Sequence, residues 1–133
     1  MAIAFKIYQS TRKGNTNGKW YARATHRETL DLNKLAAHMA SHNSSFTRGQ
    51  IVAILTDAVG CMRELCLQSK KVKLDNLGIF YPTIQSKGAR DAKKFSVANN
   101  IVGVHLRFLP AGESSTQNYM KVARVKETAY INK

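Results

Sequence analysis

An apolar helix without net charge lies in the middle of a strongly basic chain. Residues 44–69 carry two basic and two acidic side chains, whereas the whole chain of 133 residues has a formal net charge of +13. Because the neutral segment is also the most apolar, we expect it to be buried. The positive charge is concentrated in residues 1–43 and 70–110, which predicts binding to a polyanion, and nucleic acid is the polyanion that we favour.

The neutral segment has the pattern of an amphipathic helix. Thr47 and Gln50 have the spacing of a capping box, which predicts a helix over about 47–69. Its apolar positions form a wide stripe of Ile51, Ile54, Leu55, Ala58, Met62, Leu65 and Cys66. One short helix would cover only part of that stripe, so we predict contact with a second chain, although a sheet of the same chain could also cover it.

A shorter helix and two strands are predicted before it. Thr29 or Asp31 can cap a helix that ends near Ser41 to Ser44 and has apolar positions at i, i+3, i+4 and i+7. Alternating apolar residues predict a strand over 3–8, and a second strand follows at about 19–26 after a Gly-rich and Asn-rich turn.

The remaining chain favours strands. Short strands are predicted at 72–74 and 77–81, with a turn at Asp75-Asn76 between them. Pro82 predicts an edge or projecting strand, because proline cannot donate a ladder hydrogen bond. A basic segment over 86–94 precedes a predicted returning strand from Phe95 to Leu109. We expect one or two helical turns over 114–119 and a weak strand over 121–131.

Composition narrows the class of protein. With 44% hydrophobic residues and 133 positions, the chain fits one domain with a core of its own. No apolar run approaches the roughly 20 residues that span a bilayer, and the first residues lack the pattern of a signal peptide. We therefore expect a cytoplasmic protein without a membrane partner. Cys61 and Cys66 are predicted to be two buried free thiols.

Two segments together resemble a known family. They are Val72-Lys73-Leu74-Asp75-Asn76-Leu77-Gly78-Ile79-Phe80 and Val104-His105-Leu106-Arg107-Phe108-Leu109-Pro110, and they follow two helices and enclose a basic hairpin. This order is similar to that of the HU and integration-host-factor family of bacterial histone-like DNA-binding proteins. The resemblance covers about Asp31 to Tyr119, and the extra amino-terminal strands make the chain look like a divergent branch.

The resemblance implies an α+β fold. It implies an intertwined homodimer, with two helices packed on a β-sheet and a projecting basic β-hairpin arm. We expect an amino-terminal strand pair over 1–27, an HU-like body over 28–119 with an arm near 84–97, and a tail over 120–133 within one domain. A side chain would be disfavoured at Gly78. The residues assigned to the core or the dimer contact are Ile51, Ile54, Leu55, Met62, Leu65, Gly78, Phe80 and Phe108.

The function that the resemblance implies is architectural binding of double-stranded DNA in the bacterial nucleoid, largely without sequence specificity. Four cations of the basic hairpin have the best case for phosphate contact, because they can pair with successive phosphates. Four cations on neighbouring strands and two in the amino-terminal turn are weaker candidates. The ten predicted contacts are Lys87, Arg90, Lys93, Lys94, Lys70, Lys71, Lys73, Arg107, Arg12 and Lys13.

One departure from the family concerns the arm tip. Arms of this kind often carry a proline that wedges between base pairs. The chain has two prolines, Pro82 and Pro110, and neither lies at the tip. Sharp kinking by a proline wedge is therefore not expected.

Other functions fit the sequence less well. His38 and His42 are spaced i, i+4, but no third ligand completes a metal site, and nothing pairs Cys61 or Cys66 with a histidine for catalysis. We expect no enzyme, no cofactor and no small-molecule substrate. Two alternatives remain open, namely a module that binds structured RNA and a structural protein that assembles with itself and lacks affinity for nucleic acid.

Overall fold

The two long helices form a hairpin in the computed structural model, which describes residues 2–127. Helix α1 spans Leu32–Ala40 and helix α2 spans Arg48–Leu67. The carboxylate of Asp31 accepts a hydrogen bond from Lys34 N at 2.9 Å and caps α1. The predicted capping box of α2 is confirmed: Gln50 N donates to Thr47 Oγ1 at 3.2 Å, and Thr47 N donates to Gln50 Oε1 at 2.9 Å.

One sheet follows α2 along the chain, and two of its strands extend as a hairpin. Strands β3, β4 and β5 span Val72–Leu74, Gly78–Ser86 and Ile101–Pro110 and form an antiparallel sheet in the order β3-β4-β5. Strand β3 pairs only with the start of β4, from Gly78 to Phe80. Beyond Phe80, β4 pairs with β5 alone, so the two strands continue as a two-stranded arm. Pro82 lies in this part of β4, as the sequence predicted.

The returning strand predicted from Phe95 is wrong over its first residues. Strand β5 begins at Ile101, and the chain before it forms a 3-10 turn over Ala92–Lys94 and one helical turn, α3, over Val97–Asn100. The Asp91 carboxylate accepts from Lys93 N at 3.1 Å, and Ser96 Oγ accepts from Asn99 N at 3.2 Å. Such local side-chain bonds offer the backbone an alternative to the strand ladder.

A second sheet joins the two ends of the described chain. Strands β1 and β2 span Ile3–Gln9 and Trp20–Ala24 and pair antiparallel, whereas β6, over Val125–Glu127, pairs parallel with β1. A 3-10 turn over Gly112–Ser114 and helix α4, over Thr116–Val122, precede β6 and match the predicted helical turns. The strand predicted over 121–131 is confirmed only at β6, and residues 128–131 lie outside the described residues.

The single chain buries few side chains. Among the described residues, the buried hydrophobic side chains are Ala36, Ile51 and Cys66. The chain exposes 11612 Å², whereas a compact monomer of its mass, 14.8 kDa, would expose about 7,000 Å². The α+β class is confirmed, but the burial expected of a self-contained core is not reached by the chain alone.

The apolar stripe of α2 is covered on one side. Ile51 is buried and Leu55, Met62 and Leu65 are half-buried, but Ile54 is 58% exposed. Cys61 was predicted to be buried, and this is wrong: its side chain is exposed, whereas that of Cys66 is buried. The reason is that Cys61 lies on the same uncovered flank of the helix as Ile54.

The base of the arm depends on a glycine. A Cβ atom at Gly78 would lie 2.4 Å from the carbonyl oxygen of Leu109 and 2.5 Å from the ring of Phe108. The predicted intolerance of a side chain at Gly78 is therefore confirmed as a steric requirement. The rings of Phe80 and Phe108 contact each other with centroids 4.8 Å apart, although Phe108 is 44% exposed in the single chain.

Candidate nucleic-acid interface

The arm has one polar face and one apolar face. Residues that pair across β4 and β5 point to the same side of the sheet, and successive residues alternate sides. The pairs Tyr81↔Arg107 and Thr83↔His105 therefore share one face, and the pairs Pro82↔Leu106 and Ile84↔Val104 share the other. The arm thus has a polar surface on one side and an exposed apolar surface on the other.

Basic side chains extend the polar face toward α2. Lys73 pairs with Ile79 in β3, which places it on the same side as Tyr81 and Arg107. The Lys71 ammonium lies 5.5 Å from the centroid of the Tyr81 ring, within the range of a cation–π contact. Lys70 is exposed in the segment between α2 and β3. The structure therefore places all four predicted strand cations along this sheet.

The arm tip carries the other group of predicted cations. Lys87 and Arg90 follow β4, and Lys93 and Lys94 belong to the 3-10 turn; all four side chains are exposed. Within residues 2–127 the only ion pair joins Lys34 to Glu28, at 3.6 Å. No carboxylate of the described chain therefore forms an ion pair with the cations of the tip, and their charge is available to an external anion.

One buried amide organises the tip. Asn100 is 8% exposed, and its Nδ2 donates to the carbonyl oxygens of Lys87 and Gly88 at 3.0 and 3.5 Å. Its Oδ1 accepts from Ser96 N at 3.0 Å, and Lys87 N donates to the Asn100 carbonyl at 2.7 Å. These four bonds join both ends of the tip, so its cations stand on an ordered loop.

Arg12 and Lys13 are not part of this surface. They lie in the loop between β1 and β2, at the second sheet, and both side chains are exposed. The buried side chain of Ser10 orders that loop, since its Oγ accepts from Arg12 N at 3.3 Å and lies 3.5 Å from Thr16 Oγ1. The predicted contacts therefore fall into two groups on separate sheets.

The metal and nucleophile candidates stay apart from any larger cluster. The Nε2 atoms of His38 and His42 lie 3.1 Å apart on exposed side chains. No group of three or more potential metal ligands occurs among the residues that the structure describes. Cys66 Sγ donates weakly to the Phe80 carbonyl at 3.8 Å and so has a structural contact.

The sequence as a whole matches one family model. That model describes an HU domain fused to a winged helix-turn-helix, Ig or glycine-rich motif, and it matches residues 1–125. The chain belongs to this family, HU-HIG. The resemblance inferred from the motifs is thereby confirmed, and the match includes β1 and β2 of the second sheet as well as the arm.

Two solved structures are similar to the chain to different degrees, and the first shows a similar fold. A candidate bacterial DNA-binding protein from Bacteroides vulgatus has a TM-score of 0.69 and 11% identity to the HU-HIG chain. The match covers 95% of this chain and 48% of that protein, so this chain spans about half of its length. HU of Anabaena, crystallised with DNA, has a TM-score of 0.46 and 20% identity, and the match covers 70% of this chain and 98% of that one. No curated protein matches the sequence.

The role of Asn100 in the HU-HIG chain was not predicted from its sequence. The motif Ser96-x-x-Asn99 resembles a helix cap, and this signal could have ended the predicted strand before Asn100. The bonds to Lys87 and Gly88 cross more than ten positions. No local pattern predicts them.

None of the helices in the described part of the chain combines the length and apolar character that a bilayer crossing needs.

Proposed function

We propose that the chain is an architectural DNA-binding protein that contacts duplex DNA mainly through phosphates, with little sequence preference. The observation that carries this proposal is the group of four cations on an ordered arm tip, none of them neutralised within the described chain. Lys and Arg that pair with phosphates release condensed counterions, and this supplies affinity that does not depend on sequence. Proteins of the HU and integration-host-factor class bind the minor groove in this way.

The polar face of the arm supports a contact that continues from the tip to the sheet. Lys71, Lys73 and Arg107 share that face, so a duplex that touches the tip could also lie along the strands. The opposite face is apolar and unsuited to phosphates. We therefore propose that DNA lies against the face that contains Tyr81 and Arg107, with Lys70 at its edge.

Dimer formation is part of the proposal. The arm's apolar face includes Ile84, Val104 and Leu106, which are 62–66% exposed in the single chain. Ile54 on α2 is similarly exposed, and monomeric proteins rarely expose apolar patches of this extent. A second copy of the chain that covers these surfaces would also supply a second arm, so that one dimer could clamp a duplex from two sides. We propose a homodimer that acts in the cytoplasm on the bacterial nucleoid.

An aromatic side chain at the tip could replace the proline wedge. Phe95 follows the 3-10 turn directly and is 43% exposed, and Val97 is 75% exposed. Apolar side chains of this size wedge between base pairs in minor-groove proteins and kink the duplex. The proposal therefore includes DNA bending by the tip, through Phe95 instead of a proline.

A salt titration tests the proposal. We would measure duplex binding of the wild type and of a variant in which Lys87, Arg90, Lys93 and Lys94 are all changed to Ala. A matched control removes four exposed cations outside the arm and the sheet faces, namely Lys34, Arg48, Arg63 and Lys121. If each arm cation of a dimer neutralises one phosphate, the slope of log K against log salt falls by up to about 7 in the arm variant.

The control variant separates local contact from general charge. It loses the same net charge, so an equal loss of affinity in both variants would contradict a specific role of the arm. Competition by duplex RNA decides between DNA and structured RNA, because the A-form minor groove is wide and shallow. Assembly that is insensitive to salt, without affinity for either nucleic acid, would instead support a purely structural role.

A further inference from the structure

The second sheet also has two different faces. Lys6 pairs with Arg23 and Tyr8 pairs with Tyr21, so these four side chains share one side of β1 and β2. Ala4 pairs with Lys126 of β6, which adds a third cation to that side. The other side contains Ile3, which lines an apolar cavity with Leu77, Phe108 and Met120. One face therefore packs on the body, and the other presents cations and aromatic rings.

The aromatic and basic side chains form a stack. The rings of Tyr8 and Tyr21 have centroids 6.1 Å apart and are inclined by 36°. The guanidinium carbon of Arg23 lies 4.3 Å from the centroid of the Tyr8 ring. Because Tyr8 supports Arg23 from one side, the other side of the planar guanidinium can receive a flat ligand. Tyr21 is 37% exposed and provides a second flat surface beside it.

A cleft lies directly at this stack. It has a volume of about 390 Å³, and its lining includes Tyr8, Tyr21, Arg23 and, from the β1–β2 loop, Arg12 and Thr16. Small-ligand pockets in proteins measure roughly 300–1,000 Å³. The same loop is ordered by Ser10, and Gly18 N donates to the Ser10 carbonyl at 3.0 Å. The site therefore has a formed wall and is not only a flat sheet surface.

The charges around the cleft favour an anion. Arg12 and Arg23 line it, and Lys6 and Lys126 share the face. No carboxylate of residues 2–127 pairs with any of these four cations, since the one ion pair of that range is Lys34–Glu28. Glu127 pairs with Phe5 and so belongs to the opposite face. A ligand with flat rings and regular negative charges would satisfy both the stack and the cations.

We propose that this face binds single-stranded nucleic acid, with an unpaired base stacked on Tyr21 and Arg23 and the adjoining phosphates paired with Arg12 and Lys6. Proteins that bind single strands combine such stacking surfaces with basic grooves. Bases inside a duplex are covered by their neighbours and cannot reach Tyr21. The face therefore differs from the arm in what it binds, and it would act where a strand is unpaired.

Binding of a labelled oligo(dT) tests this site, because oligo(dT) does not pair with itself. A length of about 12 nucleotides lies within the roughly 4–16 nucleotides that single-strand sites occupy. Tyr21→Leu removes the ring, and we expect the affinity for the oligonucleotide to fall by about 5- to 150-fold, the effect of losing one stacked base. Tyr21→Phe keeps the ring and is expected to bind within about twofold of the wild type.

A second variant pair tests the guanidinium. Arg23→Lys keeps the charge but loses the flat surface, so weaker binding by Arg23→Lys supports stacking by Arg23. The same oligonucleotide in RNA distinguishes the two kinds of strand, and a clear preference for either identifies the source of the ligand. Fluorescence of Trp20, the only tryptophan, and thermal unfolding show whether each variant remains folded.

The experiment separates this site from the arm. Duplex affinity should be unchanged in Tyr21→Leu, and the arm variant should lose duplex binding while keeping a preference for oligo(dT) over an equally charged inorganic polyphosphate. A folded Tyr21→Leu protein that binds oligo(dT) like the wild type overturns the proposal. So does polyphosphate that competes as well as oligo(dT) per charge, because binding would then depend on charge alone. Either result leaves the arm proposal standing.

Discussion

The two sheets both present basic side chains, but they differ in how those side chains are supported. Each has an apolar face and a basic face, and each carries a long loop between two antiparallel strands. The arm continues beyond its third strand as a two-stranded hairpin, whereas β1 is flanked along part of its length by β2 and β6. The arm therefore extends away from the body with four cations at its tip. The second sheet instead places Arg23 beside the rings of Tyr8 and Tyr21.

The loops differ in how they are ordered. Asn100 ties the two ends of the arm tip together with side-chain bonds to three residues, Lys87, Gly88 and Ser96. Ser10 orders the β1–β2 loop with one bond from Arg12 N and a long contact with Thr16. The comparison indicates that an exposed basic loop can present its charges in fixed positions when one buried polar side chain near its base satisfies the backbone. Charge alone would not distinguish the two loops.

The largest expected effect concerns the apolar surface of the arm and of α2 that is exposed in the single chain. We predict that Ile54→Asp abolishes the dimer and the fold together, because an unpaired carboxylate in a covered interface costs about 3–5 kcal/mol, a large part of a typical stability of roughly 5–15 kcal/mol. Sedimentation and circular dichroism would measure both. Ala53→Asp is the control, since Ala53 is exposed and lies about 100° around the axis of α2 from Ile54. A stable wild-type monomer at micromolar concentration would contradict the dimer.

The next prediction compares the two loop-ordering residues directly. Asn100→Ala leaves the carbonyls of Lys87 and Gly88 and the amide of Ser96 without their partner, and we expect a loss of about 1–3 kcal/mol in stability together with weaker duplex binding. Ser10→Ala removes fewer bonds, so its effect should be smaller and should concern oligo(dT) binding. Chemical unfolding and the two binding assays measure these effects. Equal losses of duplex affinity in both variants would show that the loops do not act separately.

The sequence predicts those features of the fold that depend on residues close together along the chain, and it does not predict contacts between distant residues. The caps at Asp31 and Thr47, the turn at Asn76 and the position of Pro82 follow from local chemistry, and the structure agrees with each of them. The tip differs because Asn100 bonds to residues 12 and 13 positions away. The parallel pairing of β1 with β6 likewise joins distant segments, which alternation of side chains cannot specify.

The candidate site shows the same limit. Its cations could be chosen from the sequence because clusters of Lys and Arg are visible there, and the predicted amino-terminal strand pair already separated Arg12 and Lys13 from the cations of the arm. The face of the second sheet could not be predicted in the same way. Tyr8, Tyr21 and Arg23 received no role because they are separated along the chain, and only the register of β1 with β2 brings them to one face. Exposure of Cys61 was also missed, since a pattern shows which face is apolar but not how much of it a single chain covers.

A smaller effect should follow from changing Phe95, the side chain that we propose as a wedge at the arm tip. We predict that Phe95→Ala reduces the DNA bend angle, because an exposed ring at the tip would no longer separate two base pairs. Affinity should change less than in the arm variant, since all four tip cations remain. Energy transfer between dyes at the two ends of a duplex measures the bend. Val97→Ala serves as a control for apolar bulk at the tip, and an unchanged bend in Phe95→Ala would assign bending to another residue.

The smallest expected effect concerns duplex binding by the second sheet. We predict that Arg12→Ala with Lys13→Ala lowers the salt slope for duplex DNA by no more than about 4 in a dimer, and by less than the arm variant, because only two cations per chain are removed and their loop lies on the other sheet. Their loss should weaken oligo(dT) binding more than duplex binding, since Arg12 lines the cleft. Titrations of both ligands at two salt concentrations measure this ratio. If the Arg12→Ala, Lys13→Ala variant loses duplex binding while the arm variant binds duplex DNA normally, the duplex site lies on the second sheet. The arm would then not be the duplex-binding surface.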